Sequence, residues 1–448
     1  MKRHRPFVLI AVLLTVVAFE FLPGAHAFSG LPITNLPAKP LSFTNDSTLK
    51  DSMTALPNLA AIFTNIAPAA KTAIPRRANI IFIQADSLGY GDLSCYGQAK
   101  YQTPNLDKLA AGGIRFTNYY AAAASSSANA ALLLGQDAGH LKQREDATVS
   151  LTAAETTVAQ LLKQSGYHTG LIGEWNLGGE GTSGAPWKKG FDEFAGYLNA
   201  ADAENYYADY IFRHAPRSIL NPTNNQIEDF TGREMIYPNT GGQKGQYLPD
   251  LYTKAAMNFV VNNQPDTFNR YRPFFLLVNY PTPRANAAEA KRAGNGLQVP
   301  SDAPYSGEAW PQPEKNRAAM IARLDGDIGK LVEQLQKINQ SSNTMIFFTS
   351  AGIAKAGGGV DPKFFSSNVA SNDLRVPMIV NFPGKIPAGR VSKLRWSTMD
   401  FAPTALEIGH VKPVAGFTGI SILPVLRGQS GTNNPALPAR HFPNTQTQ

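Results

Sequence analysis

The chain has one cysteine, Cys95, among its 448 residues. An internal disulfide is therefore excluded, and the fold must be held by core packing, a metal or a partner. Past the first 27 residues, no stretch is long and apolar enough to cross a bilayer. The 41 Lys and Arg residues exceed the 33 Asp and Glu residues, giving a formal net charge of +8. They form no dense basic block, which excludes nucleic acid as a partner and leaves at most a weak preference for acidic surfaces. Charged residues are scarce at 17% against 43% hydrophobic, the balance of a globular chain rather than a disordered one. No internal repeat is present.

What is present begins with a targeting pattern. Lys2, Arg3 and Arg5 precede an apolar run from Phe7 to Phe19, and Ala25-His26-Ala27 offers a small-x-small cleavage site. Residues 1–27 read as a signal peptide, so the protein is expected to be exported to the periplasm or the extracellular space. The alternative is an uncleaved segment that keeps the protein membrane-associated, although the run is short and Glu20 interrupts it. Residues 28–76 are rich in Pro, Ala, Asn and Thr and read as a linker or docking extension. The patch Leu59 to Phe63 is a candidate helix turn for a partner.

From Asn79 apolar strand runs alternate with helical patterns. The spacing predicts strands over 79–84, 169–173, 274–279, 344–350 and 378–382, and helices over 104–111, 156–164, 251–262 and 314–338. This alternation implies an α/β fold with a mostly parallel sheet and helices on both faces. Chemistry in such sheets sits at the carboxyl ends of the strands.

The strand ends carry recognisable motifs. Asn79–Asp92 reads NIIFIQADSLGYGD, Thr103–Ala110 reads TPNLDKLA, Gly112–Asn118 reads GGIRFTN and Gly190–Tyr197 reads GFDEFAGY. Val299–Tyr305 leading to Ala319–Ile321, then Arg375–Val380 and Pro383–Ile386, complete the set. Over about residues 77–430 the chain resembles the sulfatases, the arylsulfatase A-like branch of the alkaline-phosphatase superfamily. The resemblance implies a formylglycine nucleophile made from Cys or Ser in C/S-x-P/A-x-R. It also implies calcium or magnesium held by two Asp after the first strand and Asp-Asn after a later one. Lys, Arg and His side chains would stabilise the sulfate and the leaving group.

The chain departs from that pattern at nearly every position. The nucleophile region reads Ser125-Ser126-Ser127-Ala128-Asn129. Its Ala130–Gly135 tail aligns Ser125 with the nucleophile and Asn129 with the family Arg, while an upstream spacing one residue shorter leaves Ser126 as a second candidate. Family Asp-Asp is Asp86-Ser87, and family T-S-D-N-G is Thr349-Ser350-Ala351-Gly352-Ile353. Family G-K-W is Gly173-Glu174-Trp175, H-A-H-N-Y-Y is Asp202–Tyr207 with Glu204 at the second His, and P-H is Pro283-Arg284. The segment Ser366–Leu374, where the last family Lys belongs, holds no lysine. His140 matches a family histidine, whereas His168, His214, His410 and His441 match no catalytic position and read as surface or structural residues.

These departures predict loss of both formylglycine and metal, so no cofactor is expected. Glu174 and Glu204 would face the pocket; two carboxylates without a cation would repel sulfate, and each would cost several kcal/mol if buried unpaired. Asp86, Glu174 and Glu204 are either a new site for a cation or a basic ligand, or solvated relics in an open cleft, the preferred reading. Arg284 is a possible partner for one of them. Ser125 as a plain alkoxide nucleophile lacks a visible base or metal. Cys95 reads as a packed free thiol. The sequence ends where sulfatases continue into a smaller C-terminal subdomain, so that subdomain is expected to be missing and an apolar face exposed. The function expected from sequence is therefore a non-catalytic structural or scaffolding subunit. Its protein partner or second copy would dock on the 28–76 extension and the C-terminal face. The alternatives are a glycan-binding module using the old cleft, and a residual sulfuric or phosphoric ester hydrolase.

Overall fold

A computed structural model describes residues 77–429 apart from 122–124, 138–149, 200–201, 203–204, 222–225, 265–271, 294 and 353–374. The signal peptide, the 28–76 extension, Glu204, His140, His441 and the 366–374 segment lie outside the described residues.

The run NIIFIQA forms β1 (Asn79–Ala85), buried along its whole length. Ile80 and Phe82 enter one apolar cluster and Ile81 and Ile83 another. Successive side chains of a strand point to opposite faces, so an unbroken apolar run requires a sheet covered on both sides. The chain continues through α1 (Pro104–Ala111), β2 (Ile114–Tyr120), α2 (Ser125–Leu134), α3 (Val158–Gln164), β3 (His168–Glu174) and β4 (Glu193–Tyr197). Then follow β5 (Tyr210–Asn221), β6 (Gln226–Met235), α4 (Leu248–Asn262), β7 (Phe274–Asn279) and α5 (Ala287–Ala293). The last elements are α6 (Gln312–Lys337), β8 (Thr344–Ser350), β9 (Met378–Asn381), β10 (Arg390–Ser397), α7 (Phe401–Ile408) and the single turn α8 (Leu423–Leu426).

Ten strands form one sheet in the order β10-β2-β9-β8-β1-β7-β3-β4-β5-β6. Its centre is parallel, with β1 between β7 and β8 and β3 between β7 and β4. β9 is antiparallel to both neighbours, and β5 and β6 extend the far edge as an antiparallel hairpin. The expected mostly parallel α/β sheet is thus found, in a more mixed form. Leu132 of α2, Leu162 of α3 and Phe401 of α7 pack on one face, and Leu106 of α1, Phe259 of α4 and Leu324 of α6 on the other. Among the described residues no helix is long and apolar enough to cross a membrane.

Parallel pairing aligns the carboxyl ends of β1, β3, β7 and β8, and α3 helps to set β3. Thr157 caps α3: its Oγ1 accepts the Gln160 N–H at 3.1 Å, while Gln160 Oε1 accepts the Thr157 N–H at 2.9 Å. The same hydroxyl donates to the Lys189 carbonyl at 2.7 Å. Thr157→Ala removes the cap and the donor to a buried carbonyl together, so a loss of about 1–2 kcal/mol is expected in urea unfolding. A midpoint equal to the parent's would count against this account.

Candidate active site

Two polar residues at or near the ends of apolar strands, Gln84 and Asn279, meet Asn129 of α2. Gln84 near the end of β1 lies in register with Asn279 at the end of β7. Gln84 Nε2 donates to Asn279 Oδ1 and to Asn129 Oδ1, each at 2.9 Å. Asn129 Nδ2 donates to the Trp175 carbonyl at 3.2 Å, and Asn279 Nδ2 to the Glu174 carbonyl at 2.8 Å. All three side chains are buried. A neutral amide cluster therefore fills the place where the family pattern has an arginine. Gln84 Oε1 finds no protein donor among the described residues.

Two carboxylates lie beside this cluster. Asp86 follows β1, with its backbone N–H donated to the Thr282 carbonyl at 3.0 Å. Its Oδ1 accepts the Ser87 hydroxyl at 2.9 Å and its Oδ2 accepts Arg284 Nη1 at 2.6 Å. Glu174 ends β3 and is 3% exposed. It accepts Arg284 Nη1 at 3.1 Å and Nη2 at 2.8 Å, and also the Asn176 side-chain amide. The Arg284 fork thus spans both acids. Burial raises the Glu174 carboxyl above its usual range, and the adjacent guanidinium only partly offsets this. The two carboxylates in turn raise the proton affinity of Arg284.

The loop carrying Arg284 is held from outside. Tyr206, 1% exposed, directs its hydroxyl at the carbonyls of Arg284 (2.7 Å) and Pro281 (2.9 Å). Arg317 of α6 donates through Nη2 to the Ser87 carbonyl at 2.7 Å and to Asp92 Oδ2 at 2.8 Å. Ser87 adopts φ +63°, a left-handed conformation unusual for a residue with a side chain. It is retained where the carbonyl is fixed by that arginine.

Ser125 opens α2, a ten-residue helix. With Gln84, Asp86, Asn129, Glu174 and Ala351 it lines a small cavity of about 10 Å³, room for about one water. The helix start adds partial positive charge on that side. A larger cavity, about 290 Å³, lies between α1 and α6 beside Ser341 at the amino end of β8, and none of these residues borders it.

The structure therefore brings together Ser125, Asn129, Glu174, Arg284, Asp86, Ser87, Ala351 and Gly352, while Glu204 falls outside the described residues. The expectation that Asp86 and Glu174 are solvated relics is corrected: both are buried and share one guanidinium. Sequence reasoning missed Gln84, Asn279, Tyr206 and Arg317. The signal for the first two was a polar residue near the end of an apolar strand. His168, expected to be structural, contacts Glu193 at 2.7 Å and Asp192 at 3.4 Å. His214 stacks on Trp187, and His410 is exposed. Cys95 packs as a free thiol whose pKa burial and Asp107 push up to about 12.

The model of the sulfatase family matches residues 78–411. N-acetylgalactosamine-6-sulfatase of the dog is 29% identical over 384 residues, covering 81% of this chain and 68% of that protein. Human arylsulfatase A is 28% identical, covering 81% and 70%. Among solved structures, Ps i-CgsB in complex with k-i-k-neocarrahexaose is 28% identical with a TM-score of 0.59, covering 79% of this chain and 77% of that one. These findings correct the expectation of a non-catalytic scaffolding subunit: relatives across four fifths of the chain are sulfatases by name. The physical reason lies in the charges. The expectation set Glu174 and Glu204 in the pocket without a cation; Glu204 lies outside the described residues, and the fold pairs Glu174 with Arg284, which also meets Asp86.

Proposed function

Because this chain belongs to the sulfatase family, we propose that it hydrolyses sulfate monoesters of sugar hydroxyls at the mouth of the small cavity lined by Ser125 and Glu174. The observation that carries this reading is the Arg284 guanidinium bridging Asp86 and Glu174 at the edge of that cavity. The sugar assignment is supported by relatives named for N-acetylgalactosamine-6-sulfate and by the saccharide complex of Ps i-CgsB.

In this reading Arg284 orients the ester. Among the described residues three of its N–H donors are committed to the carboxylates, and the other two of a guanidinium's five serve the sulfate oxygens. The first turn of α2 supports the same charge. Ser125 Oγ attacks sulfur and passes its proton to Glu174, whose buried carboxylate holds protons more readily than an exposed one. The sugar oxygen leaves with that proton. Water then attacks the sulfated serine at sulfur, Glu174 accepts the proton of the water, and sulfate departs as Ser125 is reprotonated.

Sulfate release from 4-nitrophenyl sulfate and from 6-O-sulfated N-acetylgalactosamine tests this. Turnover is expected to fall about 100-fold or more in Ser125→Ala. The Ser126→Ala variant separates the two adjacent hydroxyls and is expected to keep turnover. No sulfate release from the parent protein, or equal release from Ser125→Ala, would sink the reading. The proposal includes export, on the strength of the segment from Lys2 to Ala27.

A further inference from the structure

The fold family implies a divalent cation at this pocket, and the residues present do not suit one. A hard cation takes six or more oxygens, several of them carboxylate. Of the four matching side chains, Ala351 and Gly352 have no oxygen to give, and the Ser87 hydroxyl is turned onto Asp86. The nearby Ser350 hydroxyl accepts the Leu88 N–H and donates to the Gly352 carbonyl. Asp86 remains, and its Oδ2 already has Arg284 Nη1 at 2.6 Å. A calcium ion would need that same oxygen at about 2.3–2.6 Å.

We infer that the Arg284 guanidinium stands in for the divalent cation, so that Asp86 and Glu174 are balanced by a side chain and the pocket takes up neither calcium nor magnesium. The inference rests on reading this pocket as the family's site. The guanidinium is built in rather than incidental. It grips Glu174 through both Nη atoms, and its backbone carbonyl is held by Tyr206. The Asp86 backbone bonds to Thr282 in the same loop. A planar fork suits two carboxylates at fixed positions, and its charge does not depend on metal supply. A dication entering beside it would meet like charge where the donor set is poorest.

Thermal unfolding with millimolar Ca²⁺, with Mg²⁺ and with EDTA, together with elemental analysis of the purified protein, decides the matter. The expected result is one midpoint under all three conditions and no stoichiometric metal. A midpoint raised several degrees by either ion, or one bound metal per chain, overturns the inference. Arg284→Met leaves both acids unbalanced, so its midpoint is expected to drop by about 5 °C or more, with partial recovery in Ca²⁺. An Arg284→Met protein as stable as the parent and indifferent to Ca²⁺ also overturns it. If that variant does not fold, adding Asp86→Asn and Glu174→Gln should restore folding, since the triple variant carries no unpaired charge. The parent-protein measurement decides irrespective of either variant. These readouts are stabilities and metal contents, so absent sulfate release would sink the hydrolase reading while leaving this one standing.

Discussion

A chain carrying Gly173→Ala is expected not to fold, because the new methyl would lie inside the backbone of a neighbouring strand. Gly173 sits in β3 with φ +103°, a conformation closed to residues with a Cβ. A Cβ built there falls 1.9 Å from the Asn279 carbonyl oxygen and 2.7 Å from its carbon. Those atoms belong to the residue paired with Gly173 in the parallel β3–β7 ladder, so neither strand can retreat without breaking the sheet's centre. The Asn279 side chain is also fixed, to Gln84 and to the Glu174 carbonyl. Backbone strain and overpacking together should exceed about 4 kcal/mol, a large part of an ordinary domain's 5–15 kcal/mol. Gly326→Ala provides the contrast. That glycine lies within α6, where an added Cβ meets nothing, and the change should stabilise by about 0.5–1 kcal/mol. Soluble yield and circular-dichroism melts of the two variants should diverge widely. A Gly173→Ala protein with the parent's melting midpoint would disprove the packing argument.

How much of this was legible beforehand depended on the type of signal. The strands at Phe274–Asn279 and Thr344–Ser350 and the helix Pro104–Ala111 follow the sequence pattern end for end, because unbroken apolar runs and Pro or Gly boundaries leave little choice. The β5–β6 hairpin escaped the same reading. β6 is largely exposed along its length, so no buried face imposes an alternation. Motif positions located most of the site, and the fold does bring Ser125, Asn129, Glu174 and Asp86 to one cavity. Their environment was not legible. That Glu174 is buried, and that Arg284 reaches two acids from the loop after β7, depends on a parallel register between segments about a hundred residues apart or more. The expectation of a repulsive, abandoned cleft failed at this step, for it summed charges along the sequence without knowing which of them meet. Gln84 and Asn279 show the same limit: each was visible as a polar residue near the end of an apolar strand, but only the β1–β7 register makes them partners.

Arg317→Met should be the most damaging single change outside the sheet, with an expected loss of about 3–5 kcal/mol, because it strands a buried carboxylate. Arg317 is 5% exposed and Asp92 1%. The Asp92 Oδ2 that Arg317 meets at 2.8 Å also accepts the Gly89 N–H at 2.6 Å, so that atom cannot turn toward solvent without breaking the turn as well. The same guanidinium donates to the Ser87 carbonyl at 2.7 Å and to the Pro283 carbonyl at 3.3 Å. One side chain thus ties α6 to both loops that carry the candidate site, the one bearing Asp86 and the one bearing Arg284. Its removal should free Ser87 from its left-handed conformation and loosen the Asp86–Arg284 contact. Sulfate release should then fall further than the loss of folded protein accounts for. Arg317→Lys keeps the charge without the fork, so it should recover part of the stability and less of the activity. Urea unfolding of Arg317→Met, Asp92→Asn and the double variant measures the coupling directly. A coupling below about 1 kcal/mol would place the pair among ordinary surface contacts. A large coupling with unchanged turnover would show that the arginine holds the fold but not the geometry of the pocket.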